Sequence, residues 1–152
     1  MKKQAAVFLL CIFGMIPLTA SAQKLGLGFQ LLGPTIIGSG YLDLKVNQRI
    51  RCELGLGLIG VYGGVKAYSL PLNAKQSFRV YGGLQYSYFY LISFSGFSST
   101  DFAHGLHVPI GVQWRKTSGF SFSAEIGPLM APVAGYFALV PALRFGYYFK
   151  SK

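Results

Sequence analysis

Two stretches of this chain, Val80 to Thr100 and Ile126 to Leu143, carry no charge and are long enough to invite reading as membrane-spanning helices, yet neither can be one. The second holds Pro128, Pro132 and Pro141 together with Gly127 and Gly135. Proline in a helix interior removes a hydrogen bond and clashes with the turn before it. The first begins Val80-Tyr81-Gly82-Gly83-Leu84-Gln85-Tyr86-Ser87-Tyr88-Phe89-Tyr90, an aromatic composition typical of strands. A chain that enters lipid by strands must close into a barrel, because an open sheet edge leaves backbone groups unpaired there.

The rest of the sequence alternates with a period of two, the signature of strands with one apolar face. Leu25, Leu27, Phe29 and Leu31 alternate with Gly26, Gly28 and Gln30, and Leu42, Leu44 and Val46 with Asp43 and Lys45. Ile50, Cys52, Leu54, Leu56 and Leu58 oppose Arg51, Glu53, Gly55 and Gly57. Phe78, Val80, Leu84 and Tyr86 oppose Arg79, Gly83 and Gln85, although Tyr81 breaks the polar side. Leu106 to Trp114 and Phe120 to Ile126 follow the same rule, as does Phe137 to Phe149, whose opposite face carries Ala138, Ala142, Arg144 and Gly146. An eighth segment, around Val65 to Leu72, is weak, with Tyr68, Leu70 and Leu72 expected on one face. Pro71, Pro109 and Pro141 fit poorly in strands paired on both sides and are expected at bulges or strand ends.

Composition narrows the class. With 52% apolar and only 12% charged residues, the chain is not disordered, and its 20 glycines follow no collagen period. Met1-Lys2-Lys3, the apolar run Ala5 to Leu18 and Ala20-Ser21-Ala22 have the form of an export signal cleaved after Ala22. Residues 1–22 are therefore expected to be a signal peptide and 23–152 one barrel domain. Cys52 is the one cysteine beyond the signal, so no internal disulfide is expected. Spanning strands need about 9–11 residues each, which allows eight in this length. The expected fold is all-β, an eight-stranded antiparallel up-and-down transmembrane barrel.

A soluble barrel of this size needs a solvated outer face rich in Lys and Glu around an apolar pocket. Here the polar face is Gly, Ser, Gln and a few charges of both signs, which suits a narrow lumen. Asp43, Glu53 and Glu125 are expected to pair there with Lys45, Arg51, Arg79 and Arg144, since buried charges are costly alone. Phe78, Trp114, Phe120, Tyr147 and Phe149 are expected at one membrane interface, and Tyr88, Tyr90, Tyr136 and Phe137 at the other. Of the 14 basic residues, Lys24, Arg49, Lys75, Arg115, Lys116, Lys150 and Lys152 fall at the turns and termini of one side. Lys66 is expected toward the other.

The signal peptide, the alternating strands and the aromatic final strand Leu143-Arg144-Phe145-Gly146-Tyr147-Tyr148-Phe149 resemble small outer-membrane β-barrels of the OmpA/OmpX type, and most closely the outer membrane protein β-barrel domain group. His107-Val108-Pro109-Ile110-Gly111 has the same flavour. The resemblance covers about Lys24 to Phe149. It implies residence in the outer membrane of a Gram-negative cell, contact with outer-membrane lipids, and recognition of the last strand by the outer-membrane assembly machinery, although Lys150-Ser151-Lys152 follows the terminal aromatic.

The expected role is structural or surface-interacting, in a monomer whose lumen is filled by side chains rather than open as a pore. Two alternatives differ in class. A lipid-modifying enzyme would use His104 or His107 with Ser98, Ser99 and Asp101 against an acyl ester, and a secreted barrel would bind a small apolar ligand. No metal-ligand spacing, phosphate loop or cofactor motif is present, and no nucleic-acid partner is expected.

Overall fold

The computed structural model describes residues 25–69, 78–91, 101–132 and 135–149. The expected signal peptide, Lys24, Lys75, Pro71, Ser98, Ser99, Lys150 and Lys152 lie outside them. The strands are β1 (Leu25–Leu32), β2 (Gly38–Lys45), β3 (Ile50–Gly57), β4 (Gly60–Tyr68), β5 (Phe78–Leu91), β6 (Asp101–His107), β7 (Ile110–Arg115), β8 (Phe120–Ala131) and β9 (Tyr136–Tyr148). Strands consecutive in the chain pair antiparallel, except that β6 and β7 do not pair with each other, and β9 returns to pair with β1, which closes the sheet.

The nine segments make eight staves, because β6 and β7 are one strand. Both pair with β5 and with β8. Gln85 faces His107 and Gly82 faces Ile110, three positions apart on each strand, so the register runs unbroken through Val108–Pro109. Pro109 has no N–H to give, but its carbonyl accepts from the Gly83 N–H at 2.8 Å. The expected bulge or strand end at this proline is thus a gap in pairing without a slip in register. Pro141, expected at a similar irregularity, pairs with Ile126 inside β9 and turns outward.

The register also sets the barrel's shape. A path across paired residues from Leu27 through Leu42, Leu54, Gly63, Tyr86, Leu106 and Met130 reaches Phe137, which continues the β9–β1 register at position 37, ten residues along from its start. With about 3.3 Å per residue and about 4.8 Å between strands, that stagger over eight strands tilts them by about 40°, within the usual range for barrels. Such a cylinder has room only for its own side chains.

The alternation expected from sequence is the alternation observed. The nine charged side chains described within the strands all belong to the inward rows, and among the described side chains no outward position of a strand carries Asp, Glu, Lys or Arg. Twenty-seven large apolar side chains among the described residues are exposed, from Leu25 and Phe29 to Leu143 and Phe149. The interior holds the charged residues and the exterior is largely apolar.

The β4 segment departs from expectation in its place along the chain. It spans Gly60–Tyr68 rather than Val65 to Leu72, and Tyr62, Lys66 and Tyr68 all turn inward and are buried. Gly60, Gly63 and Gly64 supply no side chains to declare a face, so the alternation could not be read along this strand alone.

The narrow lumen is filled by pairing large residues with glycines. Tyr148 stands opposite Gly26, Tyr41 opposite Gly28, Tyr62 opposite Gly55 and Tyr81 opposite Gly111, each on the neighbouring strand. A Cβ built on any of these four glycines would run into the ring of its tyrosine. The glycine leaves the hollow and the ring covers its backbone, a pairing that also fixes register. Gly55→Val is therefore expected to cost about 1–3 kcal/mol by overpacking. Urea unfolding in detergent, followed by the emission of the single tryptophan Trp114, measures it. Adding Tyr62→Ala should cost less than the two single changes summed, because the clash is then absent.

Candidate functional site: the charged lumen

Asp43, Arg51, Glu53, Arg79, Glu125 and Arg144 are drawn together inside the barrel, each at most 4% exposed. Their strands meet here because each residue shares the inward parity of a strand whose other face is Leu, Val, Ile or Phe. Lys45 lies on the same face at the end of β2 but is only half-buried.

Two groups of charges stand at different heights. Nearer mid-barrel, Glu53 and Glu125 meet two cations. Arg144 Nη2 lies 2.7 Å from Glu53 Oε2, and its Nη1 lies 3.5 Å from Glu125 Oε2. Lys66 Nζ lies 2.6 Å from Glu125 Oε2 and 3.5 Å from Glu53 Oε2. Lys66 was expected toward the outer side; it is instead a central partner, because β4 begins five residues earlier than its sequence pattern implied. Two carboxylates and two cations make this group neutral, the condition that a low-dielectric interior demands.

Polar side chains complete the group. Tyr81 donates its hydroxyl to Glu125 Oε2 at 2.6 Å, which explains the tyrosine that interrupts the polar face of β5. Gln30 donates to Glu125 Oε1 at 3.5 Å and accepts from the Tyr62 hydroxyl at 3.0 Å. Gln85 donates to Glu53 Oε1 at 3.0 Å and holds His107 Nδ1 at 2.8 Å through its carbonyl oxygen. The Arg144 guanidinium stacks over the Tyr41 ring, 4.0 Å from its centroid.

Nearer the turns that join β2 to β3 and β7 to β8, Asp43 pairs with Arg51 Nη1 at 3.2 Å and accepts from the Tyr148 hydroxyl at 2.7 Å. Gln113 donates to the same hydroxyl at 3.1 Å. At the opposite end the lumen turns apolar: Phe89, Ala103 and Ala131 pack together with Ile36, and Leu129 is fully buried. Ile36 arrives on the β1–β2 connection, where Pro34 and Thr35 are also buried. Leu32 and Ile36 hold φ of 62° and 69° there, a conformation that costs non-glycine residues energy and persists only when packing enforces it.

On the outer face, Phe78 stands opposite Trp114, and Phe120 opposite Tyr147. The Trp114 and Phe120 rings lie 6.2 Å apart and the Tyr147 and Phe149 rings 5.5 Å apart. The five aromatics expected at one interface thus form one outward cluster at the end that holds both termini of the barrel. At the other end Tyr86 and Tyr88 flank His104, whose Nδ1 lies 2.6 Å from the Tyr86 hydroxyl. Tyr90 and Tyr136 fall at the same end of their strands.

The two histidines of the enzyme alternative stand on opposite faces of the sheet: His104 lies in β6 and turns outward, whereas His107 turns inward and is buried. No family model, no curated protein and no solved structure matches the chain.

Proposed function

We propose that this protein is an integral outer-membrane β-barrel whose role is structural or surface-interacting, with a lumen closed by its own side chains. The observation that carries the reading is the outer face, where no described side chain of a strand presents a charge. Exposed apolar patches on soluble monomers rarely exceed a few hundred square ångströms, and here the outward rows of the described strands are apolar almost throughout, with His104 an exception. A bilayer is the solvent such a wall matches.

The dimensions agree. Outward residues from Phe120 to Met130 on β8, at about 3.3 Å per residue and a tilt of about 40°, cover about 25 Å of height, the apolar band of outer-membrane barrels. The aromatic cluster around Trp114 and the Tyr86–Tyr88–His104 group flank that band, and the export signal expected at residues 1–22 supplies the route. The resemblance to OmpA/OmpX-type barrels supports the same location. A closed barrel has no free sheet edge to pair with a second copy, which favours a monomer, and its aromatic last strand suits recognition by the outer-membrane assembly machinery. Outer-membrane lipids are its immediate neighbours.

Cell fractionation tests the reading. The protein should resist osmotic shock, require detergent for release and migrate faster on a gel when unheated, because the closed barrel stays folded. Release without detergent together with no heat-dependent shift would overturn it. In planar bilayers the purified barrel is expected to give no steady conductance, since Phe89, Leu129 and Ala131 fill one end and the charge group fills the middle.

A further inference from the structure

The outer wall has a hollow beside its aromatic cluster. Phe78, Val112, Trp114, Phe122 and Ala124 line an outward groove of about 280 Å³ on β5, β7 and β8. Phe78 stands opposite Trp114 and Trp114 opposite Phe122, so a row of three aromatics crosses three strands near the rim. The next outward pair, Val112 and Ala124, lies two residues further from the β7–β8 turn, and the small Ala124 side chain leaves the hollow open there. The groove therefore runs from the rim into the wall, the direction an acyl chain takes away from its headgroup, and its lining is apolar.

A cation stands at its mouth. Lys116 continues the outward row of Val112 and Trp114 and is exposed. Its backbone is held in the β7–β8 turn, where its N–H donates to the Phe120 carbonyl at 2.8 Å and its carbonyl accepts from the Gly119 N–H at 3.0 Å. Gly119 takes a φ of 107° there, a conformation open to glycine. The rim around this lysine has no carboxylate. Of the four acidic residues in the chain, Asp43, Glu53 and Glu125 are buried in the lumen and Asp101 begins β6 at the opposite end. The ammonium of a zwitterionic headgroup would find no carboxylate here, whereas a headgroup of net negative charge brings only what a lysine attracts.

We infer that the groove and Lys116 together bind one anionic phospholipid, its acyl chain lying along the Trp114–Ala124 hollow and its phosphate against the Lys116 ammonium. The inference rests on the reading of the wall as lipid-facing and adds to it a lipid class and a place. Arg49 is the control that the fold supplies. It is exposed in the β2–β3 turn of the same rim, where Asn47 Oδ1 accepts from its N–H at 2.7 Å, and that turn lies half the circumference away from the β7–β8 turn. A site at Lys116 is indifferent to Arg49, whereas a diffuse attraction to a basic rim is not.

The full chain is folded into phosphatidylcholine vesicles that contain a small fraction of lipid brominated on its acyl chains, with either a phosphatidylglycerol or a phosphatidylcholine headgroup. Bromine quenches Trp114, which is the single tryptophan and part of the groove. At equal mole fraction the anionic lipid is expected to occupy the groove about fivefold better than the zwitterionic one, the worth of one basic residue at a membrane surface. Lys116→Gln should bring the two lipids to parity, and Arg49→Gln should leave the preference in place. Ala124→Phe, which fills the hollow and keeps the charge, should abolish it. Equal quenching by the two lipids in the wild-type chain overturns the site and leaves the membrane reading standing. So does a preference kept in Ala124→Phe, or a loss in Arg49→Gln as large as that in Lys116→Gln. Quenching by neither lipid overturns both readings. If Ala124→Phe does not fold, the comparison of Lys116→Gln with Arg49→Gln decides, because the Lys116 turn is held by backbone hydrogen bonds.

Discussion

Lys66→Met is expected to destabilise the barrel by about 3–5 kcal/mol, the range for breaking one side of a buried ion pair. Methionine keeps the length of the side chain, so the loss is electrostatic rather than a cavity. Without the ammonium, Glu53 and Glu125 share Arg144 alone, and a net negative charge is left among groups that are at most 4% exposed. The measurement is urea unfolding in detergent or vesicles, read by Trp114. Adding Glu125→Gln restores neutrality while an amide oxygen still accepts from Tyr81. The double variant is therefore expected to be more stable than Lys66→Met alone, a coupling within the usual 0.5–3 kcal/mol for neighbouring residues. Lys116→Met, at an exposed turn position, is the control and should stay within about 0.5 kcal/mol of wild type. Equal effects of the two lysine variants would refute the central role given to Lys66.

That residue also shows where sequence reading stops. Parity along a strand was enough to place Asp43, Arg51, Glu53, Arg79, Glu125 and Arg144 in one lumen, because each strand has an outer row of Leu, Val, Ile or Phe against which its inner row is defined. Lys66 lies on the strand with Gly60, Gly63 and Gly64, where the rows have too few side chains to be told apart. The inward tyrosines were hidden for a different reason. Bulky aromatics are scored as outward in a strand, and their real partners are the glycines opposite, which become neighbours only once register is known. Parity nevertheless marked them: Tyr41 shares a row with Asp43, Tyr81 with Arg79, and Tyr148 with Arg144 and Gly146. Reading the interruption at Tyr81 as a signal, rather than as noise, would have found the residue that donates to Glu125.

Leu84→Arg separates a wall in lipid from a wall in water. Leu84 is 54% exposed, between Phe78 near one rim and Tyr88 near the other, and its strand neighbours across the sheet include Val65. In a bilayer this is mid-height, where arginine on the lipid face of a barrel costs about 2–4 kcal/mol and near the interfaces about 0–1 kcal/mol. Val46→Arg, next to the β2–β3 turn and 59% exposed, should accordingly cost little. Both side chains point away from the lumen, so neither change disturbs the charge groups or the tyrosine–glycine pairs. Unfolding measured in vesicles should therefore rank Leu84→Arg well below Val46→Arg, which itself should lie near wild type. For a soluble barrel the two positions are equivalent surface sites, and each substitution would fall within about 0.5 kcal/mol. The difference between the two variants, more than either value alone, reports depth in an apolar medium. A flat result across Leu84 and Val46 would leave the apolar wall without its bilayer.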